Sequence, residues 1–172
     1  MIIDVLALGE SIHQYDNNPE NIRIGVNDIN RYFPCHHIVL LNDIMGFPPD
    51  RRRFIKDTDS NVHVIDSIKD KTINHVRTLC SYKMVYVGKH KELDIDKYFY
   101  HSRTSPFVAV LLAYKMGAQI IRCFGVDLNT HYAYSTGERH IKELNDWKKL
   151  INAIRKKGVD VVFTKESKLS TI

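Results

Sequence analysis

His140 is the side chain in this sequence best suited to acid–base chemistry. Imidazole titrates near neutrality, so a histidine placed where a helix begins beside a strand end can take a proton from a hydroxyl. Its neighbours Glu138 and Arg139 are charged, which predicts a position in contact with solvent. The chain has nine histidines, most of which must be idle, and an idle surface histidine is the competing interpretation.

A turn suited to phosphate follows the first apolar run, in the segment Ala7-Leu8-Gly9-Glu10-Ser11. Gly9 lets the backbone approach a phosphate, and Ser11 can donate its hydroxyl. The segment departs from the GxGxxG dinucleotide motif because Ala7 replaces the first glycine, and the GxxxxGK[ST] motif is absent from the sequence. An ordinary strand-to-helix turn explains Gly9 equally well.

Polar residues follow other apolar runs. Asn27 and Asn42 carry amides that both donate and accept hydrogen bonds, so at a crevice they can hold a sugar hydroxyl or a carboxylate. Asp43 and Asp127 can together hold Mg²⁺ beside a phosphate, because that ion needs only one or two carboxylates in addition to phosphate and water. Turn and capping roles are the alternative for all four residues.

The elements that must position these residues are short apolar runs separated by polar or helical segments. Several runs are continuous in Val, Ile and Leu, which is typical of strands buried on both faces. This pattern predicts an α/β, Rossmann-like fold with a mostly parallel sheet of about seven strands and helices on both faces. The predicted strands are Ile2 to Leu8, Ile22 to Val26, His37 to Leu41, Val62 to Ile65, Met84 to Val87, Gln119 to Phe124 and Val159 to Phe163.

Two helices are well marked near the polar segments. Thr104 and Ser105 can cap a helix from about Pro106 to Met116, which Gly117 ends. The last helix, Glu138 to Lys157, has a stripe of apolar residues spaced three and four apart, which predicts one buried face. The stripe consists of Ile141, Leu144, Trp147, Leu150, Ile151 and Ile154. Two other segments, Met45 to Phe54 and Gly88 to Arg103, have no clear period and are expected to be loops.

Composition limits the class of protein. With 172 residues, 44% of them apolar and 26% charged, the chain is expected to fold as one domain spanning residues 1–172. Its start, MIIDVLALGES, lacks a basic leader and a long apolar run, which predicts a cytoplasmic protein without a membrane span. Three widely spaced cysteines indicate reduced thiols, because no CxxC pair is present.

The order of these motifs resembles the bacterial sialyltransferases of glycosyltransferase family 42. The resemblance runs from the Gly9/Ser11 turn through Asn27 and Asn42 to the segment after Arg103, and so spans most of the chain. The C-terminal motifs that carry it are Arg103-Thr104-Ser105, Gly125-Val126-Asp127, Tyr132-Ala133-Tyr134 and His140.

The resemblance implies metal-independent transfer from a CMP-linked sugar to the hydroxyl of a glycan. His140 would take the proton of the acceptor, and Tyr132 would hydrogen-bond the departing phosphate. The donor would be held by Gly9, Ser11, Asn27, Asn42, Arg103, Thr104, Ser105 and Asp127. Only five residues, Ser135 to Arg139, separate the tyrosine motif from His140, where the family has a sizeable lid, so a second copy of the chain or another protein can be needed to complete the site.

The same core is also similar to the glycosyltransferase-like domain of motility accessory factors and to the archaeal hydroxymethylpterin diphosphokinases. This second resemblance rests on Asn42-Asp43 and Gly125-Val126-Asp127, and it implies Mg²⁺-dependent transfer of a diphosphate. A third hypothesis is a non-catalytic module that binds a nucleotide or nucleic acid. The region from Arg139 onward has nine basic and four acidic residues, but no RNA-binding motif accompanies it, so a nucleic-acid partner is not expected.

Overall fold

The chain alternates short strands with helices, and its computed structural model describes residues 1–128 and 137–172. The strands in chain order are β1 (Ile2–Leu6), β2 (Ile22–Val26), β3 (His37–Leu40), β4 (Asn61–Ile65), β5 (Thr78–Tyr82), β6 (Met84–Tyr86), β7 (Phe99–His101), β8 (Ile120–Phe124) and β9 (Asp160–Phe163). The α-helices are α1 (Pro49–Lys56), α2 (Lys69–Thr72), α3 (Ser105–Lys115) and α4 (Gly137–Arg155).

Seven of these strands form one fully parallel sheet in the order β5-β4-β3-β2-β1-β8-β9. From β1 the chain first builds outward to β5, and it then returns to add β8 and β9 on the other side of β1. The direction of winding therefore changes between β1 and β8, which is where open parallel sheets bind ligands. The predicted α/β, Rossmann-like fold is confirmed.

The sequence prediction placed one strand wrongly and missed two others, β5 and β7. The predicted strand Met84 to Val87 corresponds to β6, which pairs with β7 in a separate two-stranded parallel sheet. The edge position in the main sheet belongs to β5, whose Thr-Leu-Cys-Ser-Tyr sequence lacks the continuous apolar pattern of the inner strands. The two predicted loops also contain regular structure, because α1 begins in the first and β7 lies in the second.

Helices and connecting segments cover both faces of the main sheet. On one face, α3 and α4 contribute Phe107 and Trp147 to a core that includes Val5 of β1. On the other face, Ile55 of α1 packs in a core that includes Leu6 of the same strand. Consecutive residues of β1 therefore lie in opposite cores, as the two-residue period of a strand requires. The sheet is held rigidly from both sides, so the loops at its carboxyl edge have fixed starting points.

Helix α4 follows the predicted apolar stripe in its second half but not at its start. The stripe residues that are fully buried are Trp147, Leu150, Ile151 and Ile154. Ile141, by contrast, is 60% exposed, and this part of the helix buries Glu143 and Asp146 instead. A buried carboxylate requires polar partners, and Glu143 has them in the hydroxyls of Ser102 and Thr104, so this part of α4 packs against polar side chains.

No helix within residues 1–128 and 137–172 is long and apolar enough to cross a membrane. The most apolar one, α3, has 11 residues, whereas a bilayer requires about 20. Cys35, Cys80 and Cys123 are all free thiols.

Candidate functional site

Asp127 closes the crevice between β1 and β8. Its carboxylate accepts the backbone N–H of Ser11 at 2.8 Å and, through its other oxygen, the Ser11 hydroxyl. The same hydroxyl accepts the backbone N–H of Gly125 at 2.9 Å. Both Asp127 and Ser11 are buried, with 3% and 1% of their surfaces exposed. The turn that was expected to receive a phosphate therefore holds an anionic side chain of the protein itself.

Gly9 and Gly125 are required by the tightness of this crevice. A Cβ on Gly9 would lie 2.5 Å from Asp127 Oδ2 and 2.5 Å from the carbonyl oxygen of Gly125. Gly125 has a positive φ of 69°, and a Cβ there would overlap the carbonyl oxygen of Ala7. The structure thus brings Gly9, Ser11 and Asp127 together, but Ser11 binds Asp127, and the N–H of Gly9 donates to the carbonyl oxygen of Gly125 at 2.9 Å. Their role in binding a donor stays a prediction.

Asn27 and Ser105 meet at the carboxyl edge of β2, where α3 begins. The Ser105 hydroxyl lies 3.5 Å from Oδ1 of Asn27. Asn27 has a φ of 55°, a left-handed conformation that asparagine tolerates better than most residues, so it serves the turn and also presents its amide. Helix α3 begins with Thr104 as N-cap, but no side chain caps its first N–H groups. The start of α3 is therefore suited to an anion.

Thr104 and Ser102 bind Glu143 of α4. The Ser102 hydroxyl donates to Glu143 Oε1 at 2.6 Å, and the Thr104 hydroxyl donates to the same oxygen at 2.8 Å. Burial raises the pKa of Glu143, and the two hydroxyls oppose that shift. Sequence reasoning missed this glutamate, although a carboxylate midway between the apolar positions of an amphipathic helix was a usable signal.

Arg103 and Lys142 place two exposed cations close to the start of α3. The guanidinium carbon of Arg103 lies 5.1 Å from the ring centroid of Tyr86, and Lys142 Nζ lies 5.9 Å from the same centroid. Arg103 has a φ of 127°, a backbone conformation that is strained for a residue with a side chain. Two cations held on one ring create a local positive field beside the helix N-terminus.

His140 lies in the first turn of α4 and is half-buried. It is three residues before Glu143, so the two side chains share one face of the helix, and that face contacts the Ser102–Thr104 segment. Tyr132, the predicted partner of the leaving phosphate, lies outside the described residues. A second histidine, His101 at the end of β7, was missed; burial lowers its pKa and nearby Arg103 lowers it further, which favours the neutral ring.

The third predicted strand end follows β3, which is the neighbour of β2 in the sheet. Asn42 is exposed, and Asp43 accepts the backbone N–H of Met45 at 2.9 Å and pairs with Lys71 at 3.7 Å. Asp43 follows β3 and Asp127 follows β8, so three strand spacings, roughly 14 Å, lie between them. The two carboxylates therefore do not form one Mg²⁺ site. Among residues 1–128 and 137–172, no three His, Cys, Asp or Glu side chains are grouped to hold a metal ion.

Comparisons with known proteins give distant structural similarity only. No protein-family model matches the sequence, and no curated protein matches it either. Thiamine pyrophosphokinase from Bacillus subtilis superposes with a TM-score of 0.48 at 14% identity over 95% of this chain. Thiamin pyrophosphokinase from Geobacillus thermodenitrificans gives 0.45 at 13% identity over the same share.

The chain spans about three fifths of each of these structures, covering 60% of the first and 59% of the second. Values this low identify neither a family nor a substrate for the chain. The resemblance to sialyltransferases is not shown by these matches and stays a prediction.

Proposed function

We propose that this chain is a transferase whose donor is a nucleotide and whose leaving group is a nucleoside monophosphate. The observation that carries the proposal is the uncapped N-terminus of α3, which opens beside Asn27 and Ser105. Free N–H groups at the start of a helix, together with the helix dipole, provide a favourable environment for phosphate. The Ser105 hydroxyl and the Asn27 amide add groups that can bind the same anion.

The charge around the helix start favours one class of donor. Arg103 directly precedes the N-cap residue of α3, and Lys142 shares the ring of Tyr86 with it; both are exposed. A nucleoside triphosphate carries more negative charge than a CMP-linked sugar, so two cations favour the triphosphate. We therefore place transfer of a diphosphate ahead of transfer of a sugar. Mg²⁺ would enter as part of the substrate, bound to the phosphates.

In diphosphate transfer, the oxygen of an acceptor hydroxyl attacks the β-phosphorus of the nucleotide. The bond from that phosphorus to the oxygen bridging it to the α-phosphate breaks, and the nucleoside monophosphate leaves with this oxygen. His140 takes the proton of the acceptor, which typically contributes roughly 10²–10⁴-fold to a rate. The N-terminus of α3 stabilises the negative charge that develops on the leaving group.

A CMP-linked sugar is the second candidate donor. It is favoured by the meeting of Asn27, Thr104 and Ser105 opposite the first half of α4, which is the arrangement that the sialyltransferase resemblance implies. The acceptor oxygen would then attack the anomeric carbon, the bond from that carbon to the phosphate oxygen would break, and CMP would leave. His140 would accept the same proton, and no metal would be needed.

Replacement of His140 by alanine tests the proposed base. We expect His140→Ala to abolish release of nucleoside monophosphate while the affinity for the donor changes by less than about twofold, because the base contacts the acceptor. His101→Ala is the matched control, since this histidine lies close to Arg103 beside the same site. Loss of turnover in the His101 variant with unchanged turnover in the His140 variant would reassign the base, and donor affinity lost in the His140 variant would contradict its role.

A further inference from the structure

The outer face of α4 is more basic than the sequence suggests. Of the three acidic residues of this helix, Glu143 and Asp146 are buried, with 3% and 2% of their surfaces exposed, and Glu138 alone is exposed. Asp146 pairs with the half-buried Lys149 at 3.5 Å. With its buried side the helix packs against α3, β9 and the turn Val87–Lys89. The exposed basic residues of α4 and of the turn that follows it are Arg139, Lys142, Lys148, Arg155 and Lys156.

The basic side chains form two rows along the helix. Residues seven apart lie on nearly the same side of an α-helix, about 10 Å apart along its axis. Lys142, Lys149 and Lys156 make one row by this spacing, and Lys148 and Arg155 make the other. The positive charge of α4 is therefore arranged along its length and is not concentrated at one point.

The middle of the outer face, between the two rows, carries amides. Asn145 and Asn152 are both exposed and seven residues apart, and helical geometry places them between the rows. The helical turn continues past Asn152, because its carbonyl oxygen accepts the N–H of Lys156 at 3.0 Å. The one large apolar side chain of α4 that is exposed is Ile141, and the one aromatic side chain of the helix, Trp147, is fully buried. The face thus has amides along its middle and cations along both sides.

A surface of this kind fits a long polyanion. From Lys142 to Lys156 it extends about 21 Å, and a nucleic-acid duplex presents one negative charge per roughly 1.7 Å of its axis. Single strands are bound largely through stacking on aromatic side chains, which this face lacks, and a membrane surface requires more exposed apolar side chains than Ile141. Among duplexes, B-form DNA has a major groove about 12 Å wide that admits an α-helix, whereas the major groove of A-form RNA is too narrow.

We propose that the outer face of α4 is a docking surface for double-stranded DNA. The helix lies along the major groove, the two rows of cations bind phosphates on the two strands, and Asn145 and Asn152 reach the base edges. The affinity comes mainly from the phosphates and is therefore largely independent of the DNA sequence. This partner goes beyond the proposed function, and its binding does not require a nucleotide.

The salt dependence of DNA binding tests the two rows. Fluorescence anisotropy with a labelled duplex of about two helical turns measures the affinity between about 50 and 200 mM salt. Lys148→Ala combined with Lys156→Ala should reduce the slope of log affinity against log salt concentration by about two, because each phosphate contact contributes about 0.9. Lys69→Ala with Lys71→Ala is the matched control, since both lysines are exposed on α2, which packs beside β5 at the opposite edge of the sheet from β9. Equal slopes in the two double variants, or no DNA binding by the unchanged protein at about 50 mM salt, would overturn the inference.

A further variant tests the middle of the face. Asn145→Asp places a negative charge between the two rows and should weaken binding of the duplex by about tenfold, while the midpoint of urea denaturation stays unchanged because the side chain is exposed. Nucleotide binding should also stay unchanged, because the variant keeps Arg103 and Lys142. Single-stranded DNA, duplex RNA and vesicles that contain phosphatidylserine should each bind the unchanged protein about tenfold more weakly than duplex DNA does. Equal affinity for any of these three partners, or an unaltered affinity of the Asn145 variant for DNA, would contradict the proposed docking.

Discussion

Asp127 and Ser11 face each other across the point where the sheet changes its direction of winding, and the carboxylate binds both the N–H and the hydroxyl of the serine. In many parallel sheets a ligand anion at this point accepts hydrogen bonds from such N–H and hydroxyl groups. Here a side chain of the chain itself fills that position, whereas no side chain caps the N–H groups at the start of α3. This relationship moves the candidate anion site from β1 to the neighbouring strand, β2.

Removal of the Asp127 carboxylate should destabilise the fold. Asp127→Ala leaves the N–H and the hydroxyl of Ser11 without their acceptor, and we expect a loss of about 1–3 kcal/mol in the free energy of unfolding. Asp59→Ala is the control, because Asp59 pairs with Arg77 on the surface, where ion pairs contribute about 1 kcal/mol or less. Urea denaturation measures both values. Equal losses would show that the contacts of Asp127 with Ser11 stabilise the fold no more than a surface ion pair does.

Alanine substitutions at Gly125 and at Gly158 should distinguish the cost of backbone strain from the cost of steric crowding. Both have positive φ values, 69° and 77°, but only Gly125 has an atom in the way of a Cβ, namely the carbonyl oxygen of Ala7. Gly158→Ala should therefore cost about 1 kcal/mol of unfolding free energy from strain alone. Gly125→Ala should cost clearly more, because the backbone of β1 or of the crevice must shift. Comparable melting temperatures for the two variants would contradict the close approach.

His63 should make stability depend on pH. Its ring nitrogens lie 2.9 Å from His37 and 2.8 Å from the hydroxyl of Tyr82. Burial, followed by the proximity of His37, lowers the pKa of His63 from 6.5 to about 4. The unfolded chain therefore binds more protons between these values, and this part of the stability is present above pH 6.5 and is lost as pH falls toward about 4.

A variant isolates the contribution of His63 to the free energy of unfolding, which is on the order of 3 kcal/mol above pH 6.5. Urea denaturation of His63→Gln between about pH 7 and pH 4.5 should show a flatter loss of stability, because the amide keeps polar contacts and does not titrate. His13→Gln, which changes an exposed ring, should retain the slope of the unchanged protein. Parallel slopes for all three proteins would mean that His63 does not carry the dependence.

The cation pair should distinguish donors by their charge. Arg103→Ala combined with Lys142→Ala should weaken binding of a magnesium–triphosphate complex at least tenfold, and should affect the monophosphate of the same nucleoside much less, since fewer phosphates reach the pair. Lys156→Ala, which removes an exposed cation beyond the far end of α4, is the control for net charge. Equal losses for both nucleotides would place the two cations outside the phosphate site.

The fold was largely predictable because inner strands of a parallel sheet are continuous apolar runs, and helices α3 and α4 have clear boundaries. The sequence pattern did not predict those buried polar residues that are paired with a polar partner elsewhere in the chain. Asp4 lies within an apolar run, yet it is fully buried because Arg122 of β8 binds it at 2.7 Å. Glu143 was hidden for the same reason, since its partners Ser102 and Thr104 lie about 40 residues earlier in the chain.

The candidate site was predictable only in its parts. The pattern of strand ends indicated Asn27, Ser105 and His140, which the fold places at one edge or on the adjoining helix. The sequence pattern could not show that the Asp127 carboxylate accepts hydrogen bonds from Ser11. A carboxylate after a strand has the same sequence pattern whether it binds a metal, a ligand or another part of the chain. Only the register of β1 against β8 decides between these roles.

Binding of a nucleotide at the start of α3 is the central claim, and a calorimetric titration tests it most directly. The ligands are the magnesium complexes of ATP, GTP and CTP, then CMP and a CMP-linked sialic acid without metal, each against the unchanged protein and Ser105→Ala with Asn27→Gly. The account predicts that at least one magnesium–triphosphate binds more tightly than CMP, and that the double variant loses at least tenfold in affinity. Absence of binding by every nucleotide, or equal affinity in the double variant, would contradict it.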